Sequence, residues 1–131
     1  MARHNDIGSL GESLAREWLT TKGYSVIDTN YRKSAGEIDI IAQKLAKIHF
    51  VEVKTVSYET INILRENVSR ETYRPEDNVH FSKLKRLQRA IELWFLEHES
   101  LSDFQIDVVT VKVVPREKYA LVELIENVVL E

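Results

Sequence analysis

Cysteine is absent from this chain of 131 residues. That excludes a disulfide framework, a thiolate metal centre and a cysteine nucleophile. Glycine and proline are scarce, at four and two, and no stretch reads as a linker, so residues 1–131 are expected to form a single domain. No apolar run comes near the roughly 20 residues that cross a bilayer. The opening MARHNDIGSLGE lacks the apolar core of a secretory signal. Repeats and low-complexity tracts are missing as well. These absences lead to the expectation of a cytoplasmic domain with no membrane partner.

What is present is a core and an uneven charge. Hydrophobic residues make up 44% of the chain, an ordinary share for a globular domain. The net charge is −3, but residues 1–90 carry 15 Lys/Arg against 12 Asp/Glu, and residues 91–131 carry 3 against 9. An acidic total disfavours attraction of nucleic acid to the whole surface. The asymmetry fits one basic working face, and it fits chance equally well.

In NDIGSLGESLAREWLTTKGY, Ile7, Leu10, Leu14 and Trp18 recur at helical spacing, and Gly23 is placed to end the helix. YSVIDTNYR reads as a first strand. Gly36–Gln43 and Ile48–Val56 read as two more, joined through KLAK as a hairpin. Residues 57–79 are polar and mixed and read as a long loop with scope to move. KLKRLQRAIELWFLEHE is a second helix, with Ser82 as its cap and Leu84, Leu87, Ile91 and Trp94 as its apolar face. FQIDVVTVKVV and YALVELIENVV close the chain as strands. The order α-β-β-β-α-β-β predicts an α/β or α+β fold, with a mixed sheet and a helix against each face. Trp18, Trp94 and Phe95 belong to its core.

Four charged residues, Glu37, Asp39, Glu52 and Lys54, interrupt the apolar strands of the hairpin. Alternation puts Glu37, Asp39 and Ile41 on one face, and Phe50, Glu52 and Lys54 on one face of the next strand. A hairpin centred between Leu45 and Ala46 pairs residues whose numbers sum to 91. Asp39 would then face Glu52 directly, with Cβ atoms ~4.5–5.5 Å apart, and Glu37 would face Lys54. Two carboxylates so placed repel, and a divalent cation held by their hard oxygens is one compensation. Lys54 beside such an ion could stabilise charge on a phosphoryl group. The alternative is a solvated polar face with a surface ion pair worth ~0–1 kcal/mol, although Ile41 and Phe50 on the same face argue for partial burial. Glu12 sits at the edge of the apolar stripe of the first helix, beside Ala15 and Leu19, and could reach the sheet or remain solvated. Gly8 and Gly11 in that helix either permit a close approach or weaken it.

GEIDIIA followed by HFVEVKT, with GSLGESLAREWLTTKGYSVIDTNYR before them and SKLKRLQRAIELWF and FQIDVVTV after, resembles the YraN family of small uncharacterised bacterial proteins. That family looks like a branch of the PD-(D/E)XK nuclease superfamily, and the likeness runs over residues 8–111. It implies a restriction-endonuclease-like fold and metal-assisted hydrolysis of phosphodiester bonds in DNA, including branched or structured DNA. By this resemblance Asp39 is the metal-binding aspartate, Glu52 the second acidic ligand and Lys54 the motif's lysine. Glu12 would be the helix glutamate of the branch that contains archaeal Holliday-junction resolvases. The implied ion is Mg²⁺ or Mn²⁺. Glu37 either positions Lys54 or adds a ligand. Ile38 stands where the superfamily's name has proline. A homodimer is the expectation for a cutter of symmetric junctions.

Lys83, Lys85, Arg86 and Arg89 cluster at the start of the second helix. They could track phosphates or simply form a solvated face. Arg65, Arg70 and Arg74 could add contacts, and Gln88 matches an active-site glutamine of some superfamily members. Asp107 is expected to be a hydrogen-bond or ion-pair partner within the sheet. His4, His49, His80 and His98 show no ligand spacing. A non-catalytic nucleic-acid-binding module on the same fold, and a protein-interaction domain working through the long loop, stay open on the residues alone.

Overall fold

The computed structural model describes residues 4–70, 81–100 and 102–128. The first helical stripe forms α1, His4–Thr21. Ala15 and Leu19 are fully buried along it, and Ile7, Leu14 and Trp18 are partly so. Gly23 adopts φ 92°, a left-handed conformation suited to glycine, and Gly23 N–H donates to Thr20 O while Tyr24 N–H donates to Leu19 O. The chain thereby turns directly into β1, Ser25–Lys33, followed by β2, Gly36–Lys44, and β3, Lys47–Ser57.

The polar stretch after β3 departs from the expected loop. Residues Ile61–Arg70 form a helix, α2. Its first turn is tied down twice: Thr60 Oγ1 accepts the Ile63 N–H, and Glu117 Oε2 accepts the Ile61 N–H. Leu64 is buried along it, and Ile61, Leu64 and Val68 recur at helical spacing, a short period that the polar residues around it conceal. The rest of the expected loop, residues 71–79, lies outside the described residues. The second apolar helix, α3, runs Phe81–His98 and leads to β4, Asp103–Val114, a short 3₁₀ turn at Pro115–Glu117 and β5, Tyr119–Ile125.

The five strands stand in sequence order. All neighbours are antiparallel except β3 and β4, which are parallel, a pairing that needs a long crossover such as the one containing α2 and α3. The mixed sheet is covered on both faces. On one, α1 packs over Ile40, Ala42, Val51, Val109, Val111 and Val113. On the other, Leu87, Ala90, Ile91 and Trp94 of α3 pack over Tyr31, Ile38, Ile41, Ile48, Phe50 and Ile106. This is the mixed α/β architecture expected, with α2 added. Among the described residues, no helix is long and apolar enough to cross a membrane.

Two glycines of α1 have opposite meanings. A Cβ at Gly11 would lie 1.8 Å from Thr55 Oγ1 and 2.8 Å from Thr55 Cβ, whereas one at Gly8 would meet nothing within 4 Å. Only Gly11 is needed for close approach of α1 to β3. Gly8→Ala is therefore expected to stabilise by ~0.5–1 kcal/mol. Gly11→Ala is expected to cost ~1–3 kcal/mol through overpacking despite its better helix propensity. Thermal unfolding of the two variants side by side checks the pair.

Candidate functional site

The hairpin register is the one expected as far as it goes. Lys44 faces Lys47, and the pairing continues to Ile40 opposite Val51. There the ladder stops, although both strands run on. β2 stays paired with β1 back to Gly36, and β3 stays paired with β4 out to Ser57. The two central strands thus form a fork, and the expected direct facing of Asp39 and Glu52 falls one step beyond its crotch. Instead, Asp39 Oδ2 accepts the Val53 N–H at 2.8 Å. Strand N–H groups point within the plane of the sheet, so this bond holds the Asp39 carboxylate in that plane, between the two arms.

The expectation that Asp39 shares a face with Ile41 is also corrected. Thr29 pairs with Ile40 and Tyr31 with Ile38, yet Ile40 packs on the α1 side and Ile38 on the α3 side. Alternation breaks on both strands at the intervening level, where Asn30 has φ 51° and Asp39 stands on the opposing strand. Asparagine tolerates this left-handed backbone better than most residues. The break turns Asp39 toward α1. There it lines a polar pocket of about 140 Å³ with Ser9, Glu12, Arg16, Thr29, Asn30 and Ile40. Asp39 itself is only 7% exposed.

Glu12 is the helix residue that the pocket brings to Asp39. Burial, and next the negative charge of Asp39, push its carboxyl above the ordinary 4.5; Arg32, Arg16 and a hydrogen bond with Asn30 pull the other way. A carboxyl raised in the folded state keeps a proton that the unfolded chain has released. Its effect on stability is therefore neutral in acid, and stability falls as pH rises through the window above 4.5. Glu12→Gln should raise the melting temperature at pH 7 and give no gain at pH 4.

Glu52 and Lys54 occupy the other side of the fork. Val51 and Val53 pack with α1, so alternation turns Glu52 and Lys54 toward the α3 side. Glu52 is 3% exposed and Lys54 is half-buried. Glu37 does not face Lys54. Its partner is Arg32, its neighbour across the β1–β2 ladder, at 3.1 Å. With β3 no longer beside β2 at that level, β1 supplies the nearest cation. The pair is partly solvated and worth ~0–1 kcal/mol, so its effect is on where the two side chains sit rather than on stability.

The donor set suits a hard cation. Carboxylates from Glu12 and Asp39 and the Ser9 hydroxyl line one pocket together with Arg16, while the Asn30 amide oxygen accepts from Arg32 at 3.3 Å. Among the described residues, no three Asp, Glu, His or Cys side chains are grouped closely enough to hold an ion together. Mg²⁺ commonly uses only one or two carboxylates and keeps several waters, so the Glu12–Asp39 pair meets its needs.

Gly36 brings the basic helix to the same end of the sheet. A Cβ there would lie 1.8 Å from the Arg86 carbonyl oxygen, so α3 sits directly on the start of β2, three residues before Asp39. Lys85, Arg86 and Arg89 are exposed on this part of α3, as is Gln88. Arg65 is exposed on α2. Arg74 and His80 lie outside the described residues, as do the side chains of His4, Arg70 and Lys83.

Arg16, Arg32 and Asn30 are the site residues that sequence reasoning missed. Arg16 follows Glu12 by four, the spacing of neighbours on a helix, and could have been found. Arg32 becomes visible only once the β1–β2 register is known. Asp107 is, as expected, a hydrogen-bond partner within the sheet. Its Oδ2 lies 2.7 Å from His49 Nδ1, and its Oδ1 accepts from Gln105 Nε2 and from the Asn127 N–H. Tyr24 packs edge-on against the His49 ring.

The fold is a mixed α/β domain in which α1, β1 and β2 enclose a polar pocket holding Glu12, Asp39 and Arg16 beside the fork. The family model described as uncharacterised protein family UPF0102 matches residues 11–111, and the chain belongs to that family, also called the YraN family. The matched span includes Glu12, Asp39, Glu52 and Lys54. The chain is 36% identical over 111 residues to a UPF0102 protein of Flavobacterium psychrophilum, covering 85% of this chain and 84% of that one. It is 32% identical over 105 residues to one of Campylobacter jejuni, covering 80% and 82%. With one of Treponema pallidum it shares 48% over 68 residues, 49% and 54% of the two chains.

Proposed function

We propose that this chain is a metal-dependent endonuclease hydrolysing phosphodiester bonds in DNA, branched or structured DNA included. The observation that carries this reading is the position of Asp39. Its carboxylate is pinned in the plane of an opened sheet by the Val53 N–H, with Glu12 on one side and the strand bearing Glu52 and Lys54 on the other. In water-exposed DNA the phosphodiester is protected by its own negative charge, and hydrolysis needs that charge to be compensated as it grows. Glu12 and Asp39 would hold Mg²⁺ or Mn²⁺, which supplies charge compensation and an acidified water. Glu52, the other carboxylate at the fork, would take a proton or orient the water. The Lys54 ammonium would stabilise the charge that develops on the phosphoryl oxygens. Lys85, Arg86 and Arg89 would bind flanking phosphates and make affinity fall with salt.

The lack of a ready three-carboxylate group among the described residues favours a second reading, a nucleic-acid-binding module without catalysis. One experiment separates them. Labelled duplex, flap and four-way-junction DNA, with matching RNA, are incubated with the protein in Mg²⁺ or Mn²⁺. Cleavage of a DNA substrate that stops with EDTA supports the nuclease. Salt-dependent binding with no cleavage in either ion supports the module. Neither binding nor cleavage on any substrate rejects both.

A further inference from the structure

Thr110 stands on β4 and is 3% exposed. Its hydroxyl oxygen is buried and has no hydrogen-bond partner among the described residues. Such a group costs stability that a valine of the same shape would spare, so its surroundings are informative. Val109 and Val111 pack on the α1 side, which turns Thr110 to the opposite face. That is the face of Glu52 and Lys54. In the parallel ladder Thr110 stands directly beside Lys54, and Val108 beside Glu52. On its other side it pairs with Glu123 of β5, which is exposed. Lys112, two residues along the same face, is buried.

Lysine at position 54 has a reach that its role does not want. Four methylene groups give the ammonium many positions, and only those near the fork help a phosphodiester. Restricting it needs an acceptor close to its base, and a charge-assisted hydrogen bond is among the stronger ways to do so. Glu37, the acceptor expected from the hairpin, is engaged with Arg32 instead. The hydroxyl nearest in the ladder is that of Thr110, with both its lone pairs available.

We propose that Thr110 is a positioning residue for Lys54, its hydroxyl oxygen accepting a hydrogen bond from the Lys54 ammonium in the working state. The two are not hydrogen-bonded in this structure; rotation of the lysine stem, which is half-buried beside Thr110, brings them together. The consequence of this contact for cleavage rests on the nuclease reading above. The contact itself rests on DNA binding alone and needs no cleavage.

The test compares wild type, Thr110→Val and Thr110→Ser. The first readout is reductive methylation of the Lys54 amine, mapped by mass spectrometry with duplex DNA bound and divalent ions removed. The valine variant should be methylated several-fold faster, and serine should restore the wild-type rate. The second is cleavage in Mg²⁺. The rate at saturating DNA should fall roughly ten- to a hundredfold with valine, the range for a lost hydrogen bond to a charged group, while DNA affinity holds and serine recovers most of the rate. The third is thermal unfolding, where valine should melt no lower than wild type. If Lys54 is methylated equally in all three proteins, the contact is refuted, whether or not the wild type cuts DNA. If the wild type cuts and the valine variant cuts equally fast, the positioning role is refuted and the nuclease stands. If the wild type does not cut, the nuclease falls and methylation alone decides the contact. A valine variant that melts well below wild type makes Thr110 a structural residue and overturns the proposal.

Discussion

Asp39→Asn should reduce Mg²⁺-dependent cleavage by on the order of a thousandfold, the several kcal/mol expected when the charge holding a catalytic ion is lost. The fold should barely notice. Asn offers an amide oxygen in place of Oδ2, so the Val53 N–H keeps an acceptor at the position where the aspartate now provides one. Asp39→Ala is the less informative variant, because it removes charge and acceptor together and leaves that N–H without its partner, costing ~1–3 kcal/mol. Binding of Mn²⁺, followed by calorimetry, should weaken in step with the Asn variant's activity. An Asn variant that keeps wild-type cleavage and wild-type ion affinity would remove Asp39 from the site.

The largest stability effect is expected at Asp107. This carboxylate is 0% exposed and accepts from three directions: the His49 ring, the Gln105 amide and the Asn127 main chain. A carboxylate can only accept, so His49 Nδ1 carries the proton in this contact. Asp107→Ala removes the acceptor of all three donors, leaves the buried His49 ring without its partner, and opens a void in β4. Loss of one member of a buried polar network costs roughly 3–5 kcal/mol, a fall in melting temperature on the order of 10–20 °C for a domain of this size. Asn127 follows β5, so the last strand should also lose protection in hydrogen exchange. A fall of under about 2 °C would mean that the network is replaceable by water.

Much of this was legible in the residues, and the failures share a cause. Antiparallel pairing across a short turn leaves little freedom, so the register from Lys44 to Ile40 follows from the position of Leu45 and Ala46 alone. Nothing local states where such a ladder ends. It ends because β3 continues with β4 and β2 with β1, which are long-range choices. Face assignments failed at Asp39 for a related reason. Alternation is a rule for regular strands; it breaks on β2 at Asp39 and on β1 at Asn30, and asparagine signals a left-handed backbone only weakly. Gly11 and Gly36 carry a clear meaning once Thr55 and Arg86 are seen against them; in the sequence they are two glycines among four. The link from His49 to Asp107 crosses 58 residues between parallel strands, beyond any spacing argument.

The outer flank of the sheet has a consequence for association. β1 is the last strand on its side. Its register slips between Val26 and Asp28, Asn30 breaks the backbone again, and the strand finishes in exposed Arg32 and Lys33. A newcomer strand needs a straight row of main-chain donors and acceptors, and this border offers none of useful length. Sheet extension into fibres or strand-swapped pairs is therefore blocked along that border, and whatever docks there must recognise side chains.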